Sequence, residues 1–190
     1  MRQKRLHIVF NAPVSLTFAG ICLLALILNT VTGGVSNALI FCVYRSSLLN
    51  PLTYVRLIGH VFGHSSLSHF SGNMMTFLIL APLLEEKYGS RNLILTILAT
   101  ALVTGIVHCI FFSGALLGAS GVVFALILLS SFTDIRQGEI PLTLIIVAVM
   151  YIGTQIAEGL FVQDNISNLT HILGGVVGAL AGFRLNSGNA

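Results

Sequence analysis

Thr170-His171-Ile172-Leu173-Gly174-Gly175-Val176-Val177-Gly178-Ala179-Leu180-Ala181-Gly182-Phe183-Arg184 is an apolar run with a histidine near one end and an arginine at the other. His171, Gly174, Gly178 and Gly182 recur at three- and four-residue spacing, so on a helix they share one face. Small residues along a face let two backbones approach closely in lipid. Gly121 and Ala125, earlier in the chain, are a matching small pair at four-residue spacing. Packing the two faces together would carry Ser120 and His171 toward each other.

The rest of the chain says that the solvent is lipid. Of 190 residues, 55% are hydrophobic and 8% charged, against about a quarter charged in soluble domains. So few charges cannot cover a surface against water, which excludes a soluble globular domain. Six apolar segments are read at 10–30, 66–85, 92–112, 118–133, 141–161 and 168–184. The expected fold class is all-α: a polytopic bundle of six transmembrane helices in a single domain spanning 1–190. Arg2, Lys4 and Arg5 precede the first segment as in a signal peptide. No small-residue cleavage site follows, so it reads as an uncleaved span.

With a cytoplasmic N-terminus, six spans return the C-terminus to the cytoplasm. Seven basic residues then lie inside (Arg2, Lys4, Arg5, Lys87, Arg91, Arg136, Arg184) and two outside, Arg45 and Arg56. This is a positive-inside bias. The excess of basic residues is therefore read as topology and not as a nucleic-acid surface. Cys22, Cys42 and Cys109 lack metal spacing and read as small packing residues. The outer connection, 31–65, is long enough to expect structure of its own, with apolar residues suited to the interface. Pro141 suits the first turn of the fifth span, and Pro82 predicts a kink in the second.

Depth brings three polar residues to one level. Measured back from Glu86, Asp134 and Arg184 at the cytoplasmic ends, Asn73, Ser120 and His171 each lie thirteen or fourteen residues away, or about 20 Å. In a hydrocarbon core about 30 Å thick they sit roughly 10 Å below the outer surface. The fourth segment covers only about 23 Å, so its N-terminus falls within the membrane's thickness. Backbone polar groups there must face protein or water.

The chemistry open to these residues is acyl transfer. A serine hydroxyl becomes a nucleophile when a base takes its proton, and a neutral imidazole is such a base. Ser120 lies near a helix N-terminus, where the backbone N–H groups of Ala119 and Ser120 can hold an oxyanion. His69 and Asn73, one turn apart, face the same way and can donate to the same oxygen. No acidic residue is placed beneath His171, so the reading is a dyad. No cofactor and no metal are required.

These residues match a known family. Gly118-Ala-Ser120-Gly121, His69-x-x-x-Asn73 and His171-x-x-Gly174-x-x-x-Gly178 resemble the motifs of the rhomboid intramembrane serine proteases, most closely the bacterial GlpG type. The resemblance implies Ser120 as nucleophile, His171 as base, and His69 and Asn73 as oxyanion donors. It gives supporting places to His64, Gly118, Gly121, Gly174, Gly178 and Arg56. Val55 stands where an aromatic is usual. Phe124 stands where a tyrosine usually stacks on the catalytic histidine. The cytoplasmic domain that precedes the first helix in some relatives has no counterpart, which implies a minimal core. Implied partners are single-pass transmembrane protein substrates and membrane lipids. The implied location is the bacterial inner membrane, with the active site opening to the periplasm.

Rival readings use the same residues differently. His60, His64 and His69 have spacing that can bind zinc on a helix, but Val61 stands where a metalloprotease carries glutamate. A proton relay or transporter would explain intramembrane histidines, though no inverted repeat is evident. An inactive client-binding relative usually lacks the nucleophile or the base, and both are present here. His108 reads as a packed polar group. Glu85, Glu86, Lys87 and Arg91 read as a solvated connection.

Overall fold

The computed structural model describes residues 9–132, 142–161 and 165–187. The architecture is all-α among these residues, with seven α-helices: α1 (Pro13–Val31), α2 (Pro51–Gly59), α3 (Leu67–Tyr88), α4 (Ser90–Phe111), α5 (Ser120–Ser131), α6 (Leu142–Phe161) and α7 (Asn165–Ser187). α1 and α3 to α7 fall on the six apolar segments; α2 belongs to the outer connection. Among the described residues α1, α3 and α4 are long and apolar enough to cross a membrane, and α5 is a shorter apolar helix. Pro141, Asp134 and Arg136 lie outside the described residues. α3 runs unbroken through Pro82.

The apolar surface has two destinations. Phe18, Phe77, Leu84, Leu93, Leu126 and Leu129 close a core between α1, α3, α4 and α5, with the Phe18 and Phe77 rings stacked at 4.5 Å. Leu24, Met75, Leu83, Leu180 and Phe183 point outward and stay exposed. An outward apolar face of this extent is unfavourable in water and suits lipid.

α1 starts at Pro13, which suits a first turn, but Ala12 offers no capping side chain. The cap comes from α3. Glu85 accepts the backbone N–H groups of Val14 and Ser15, each at 2.9 Å, and the Ser15 hydroxyl at 2.7 Å. It also accepts from Ser90 Oγ at 2.7 Å, which ties in the start of α4. A carboxylate at a helix N-terminus satisfies orphan donors and meets the positive end of the dipole. Glu85 is only 5% exposed. The solvated connection expected for Glu85 is therefore corrected: this carboxylate is buried because three helix ends converge on it.

The connection between α1 and α3 is folded. A π-turn spans Asn37–Phe41. Val43 then pairs with Leu116 through two backbone hydrogen bonds of 2.9 Å. Asn50 caps α2 by accepting from the N–H of Leu52. Arg56 is buried; its Nε donates to the Leu52 carbonyl, another guanidinium N–H to the Tyr44 hydroxyl, and its plane lies 4.5 Å over the Tyr44 ring. The connection thus grips the segment that leads into α5.

Candidate active site

Three elements converge at the start of α5. The first is α3. Ser66 caps it by accepting the N–H of His69 at 3.1 Å, which fixes the backbone that carries the imidazole. One turn on, the Asn73 amide donates to the His69 carbonyl at 3.1 Å and is nearly buried.

The second is the approach to α5. His108, buried on α4, donates from Nε2 to the Gly114 carbonyl at 2.8 Å. The N–H of Gly118 donates to the carbonyl of His60 at 2.9 Å. Gly118 has φ +126°, a conformation that glycine tolerates best. It also has no room for a side chain: a Cβ there would stand 2.8 Å from His69 Cε1 and Nε2 and 4.0 Å from Asn73 Nδ2. The chain therefore passes directly against His69 before α5 begins. This moves the helix start from the expected 118 to Ser120. Ala119 is its fully buried N-cap, with no side-chain cap for the first N–H groups. Ser120 is half-buried.

The third element is α7, which lies along α5 in backbone contact. A Cβ on Gly174 would stand 2.1 Å from the Gly121 carbonyl oxygen, and one on Gly178 2.0 Å from that of Ala125. Thr170 closes the outer end, with its methyl 3.2 Å from where a Gly121 Cβ would be. The His171 ring is half-buried and lies 4.2 Å from the Phe124 ring, tilted by 39°. Ser120 and His171 thus flank one end of a contact whose spacing is set by glycines.

The remaining histidines are placed differently. His60 and His64 are fully buried; His60 Nε2 donates to the Ala101 carbonyl at 3.1 Å and His64 Nδ1 to that of Phe62 at 3.0 Å. The His64 ring meets His69 edge-on at 5.1 Å. Among the described residues no three His, Cys, Asp or Glu side chains converge as metal ligands would. Arg56 stays with Tyr44 in the outer connection. Sequence reasoning missed the Val43–Leu116 pairing, the His60 carbonyl beneath Gly118, and Ser65, whose hydroxyl lies 3.2 Å from His69 Nδ1.

Burial pushes His60 and His64 down to about 4 each; His108 beside the first and His69 beside the second push the same way, while the carbonyl bonds oppose. Both rings are neutral at working pH. The unfolded chain protonates a histidine near 6.5. Between about 6.5 and 4 the unfolded state therefore binds more protons, so stability rises with pH across that window. The expected result is a melting temperature in detergent that falls as pH drops from about 6.5 to 4. His60→Gln should flatten that slope; an equally steep slope in the variant would refute the assignment.

The rhomboid domain family matches residues 51–187. The chain is 28% identical over 178 residues to a protein named Rhomboid protease GlpG from Serratia proteamaculans, and 27% identical over 176 residues to proteins of that name from Yersinia pestis and Yersinia pseudotuberculosis. Each match covers 90% of this chain and 62% of the relative, so the chain spans under two thirds of their length. With the family matched across α2 to α7, the chain belongs to the rhomboid family.

Proposed function

We propose that this protein is an intramembrane serine endopeptidase that cuts transmembrane segments of other membrane proteins with a Ser120–His171 dyad. The observation that carries the reading is the backbone contact of α5 with α7. That contact sets Gly121, which follows Ser120, against Gly174, one turn after His171, and so supports pairing the two side chains.

In this mechanism His171 takes the Ser120 proton as Oγ attacks the scissile carbonyl. The carbonyl oxygen becomes an oxyanion held by the N–H groups of Ala119 and Ser120 and by His69 and Asn73. His171 then protonates the departing amine, and the carbonyl re-forms as an ester on Ser120. Water, deprotonated by His171, hydrolyses that ester and restores the hydroxyl. Phe124 supports the imidazole from one side. The short α5, about 18 Å long, starts within the membrane's thickness and leaves room for water above it. Single-pass transmembrane proteins are the proposed substrates and lipids the surroundings. The proposed location is the bacterial inner membrane, with both termini cytoplasmic and the cleft open to the periplasm, as the basic residues indicate.

The test is covalent labelling of purified protein with a fluorophosphonate probe. Wild type is expected to be tagged at Ser120, and Ser120→Ala and His171→Ala to escape. Tagging elsewhere, or undiminished tagging of His171→Ala, would refute the dyad.

A further inference from the structure

The proposed chemistry uses one nitrogen of His69, and the structure says what holds the other. The Cε1 and Nε2 edge of the ring lies against Gly118, two residues before Ser120. The opposite nitrogen, Nδ1, lies 3.2 Å from the hydroxyl of Ser65. We propose that Ser65 is a positioning residue: its hydroxyl donates to Nδ1 and keeps the neutral His69 ring in the tautomer that carries its proton on Nε2.

The argument is one of proton inventory. A neutral imidazole has one N–H and one lone pair. To donate to an oxyanion beside Gly118, the ring must carry its proton on Nε2, which leaves Nδ1 as an acceptor. In the other tautomer the Nε2 lone pair would face a negative oxygen and repel it. The serine hydroxyl rotates freely and has one proton to give, and Ser65 Oγ is the side-chain atom bonded to Nδ1 among the described residues. His64, the neighbouring imidazole, has no proton to give His69 Nδ1, because its one N–H, on its own Nδ1, goes to the Phe62 carbonyl and its Nε2 is left an acceptor. Consecutive serines thus divide the work: Ser66 fixes the His69 backbone and Ser65 fixes its ring. Ser65 is exposed, so removing its hydroxyl leaves the core untouched.

This inference rests on His69 acting as an oxyanion donor, and the test separates the two. Cleavage of a model transmembrane substrate is measured for the full chain with Ser65→Ala, Ser65→Thr, His69→Ala and the Ser65→Ala/His69→Ala pair. Ser65→Ala is expected to lower kcat on the order of three- to tenfold, the worth of one hydrogen bond, with KM little changed. Ser65→Thr keeps the hydroxyl and should restore the rate. In the His69→Ala background, Ser65→Ala should do nothing further. The ring-nitrogen spectrum of 15N-labelled His69 should move from one tautomer toward a mixture in Ser65→Ala. An unchanged kcat or an unchanged spectrum in Ser65→Ala, or an equal loss in both backgrounds, overturns the inference alone. A silent His69→Ala overturns the reading of His69 and this inference with it.

Discussion

Ser120→Ala and His171→Ala are each expected to lower cleavage of a model transmembrane substrate by about 10⁴-fold or more, with the melting temperature unchanged. The size follows from the mechanism. Without Oγ no covalent intermediate forms. Without the imidazole the hydroxyl keeps its proton and is a poor nucleophile. If the two groups act in one step, as proposed, the double variant should be no slower than the slower single variant. Both side chains are half-buried at the rim of the α5–α7 contact, and neither belongs to the core, so loss of fold should not confuse the result. Phe124 against His171 makes the histidine variant the more informative. If His171→Ala cleaved as fast as wild type, the base would have to be another residue. A double variant slower than either single one by the full product of their effects would mean that the two groups do not work together.

The all-α fold and the α5–α7 contact were legible in the sequence, and the reason is periodicity. The face of α7 that meets α5 could be read because small residues repeat with the helical turn and because lipid offers no other use for such a strip. The common depth of Asn73, Ser120 and His171 stays an inference from the fixed rise of a helix and its charged ends. What escaped has no period. Glu85 caps α1 from about seventy residues away, and no local pattern announces a carboxylate that leaves its own helix end for another. The only hint is that Ala12 before Pro13 cannot cap. The start of α5 was misplaced for a similar reason. Gly118 looks helical beside Ser120, but its backbone is turned by the His60 carbonyl and the His69 ring, both distant in sequence. Ser65 escaped because a serine just before a helix reads as one more cap; only coordinates show that Ser66 is the cap and that Ser65 reaches the ring.

Gly174→Ala carries the second large effect, and it acts through distance alone. The added methyl would stand 2.1 Å from the Gly121 carbonyl oxygen and 3.0 Å from its Cα. Both are backbone atoms of a packed helix and cannot swing aside. α7 must therefore move away from α5 by about 1 Å or more to restore ordinary contact. Gly121 follows Ser120 directly, and Gly174 is one turn from His171, so the shift falls on the distance between hydroxyl and imidazole. A displacement of about 1 Å at a reacting pair can cost on the order of 10²-fold in rate, and overpacking costs about 1–3 kcal/mol in stability. Two glycines calibrate the result. Gly182 faces Cβ, Cγ and Cδ2 of Phe132, about three turns from His171, so Gly182→Ala should cost stability with little loss of rate. Gly20 on α1 has open space where its Cβ would be, so Gly20→Ala should hold the rate and raise stability by up to about 1 kcal/mol through helix propensity. Rates and unfolding midpoints of the three variants, measured side by side, decide the matter. A Gly174→Ala protein as active as Gly20→Ala would mean that close approach of α5 and α7 does not set the catalytic geometry.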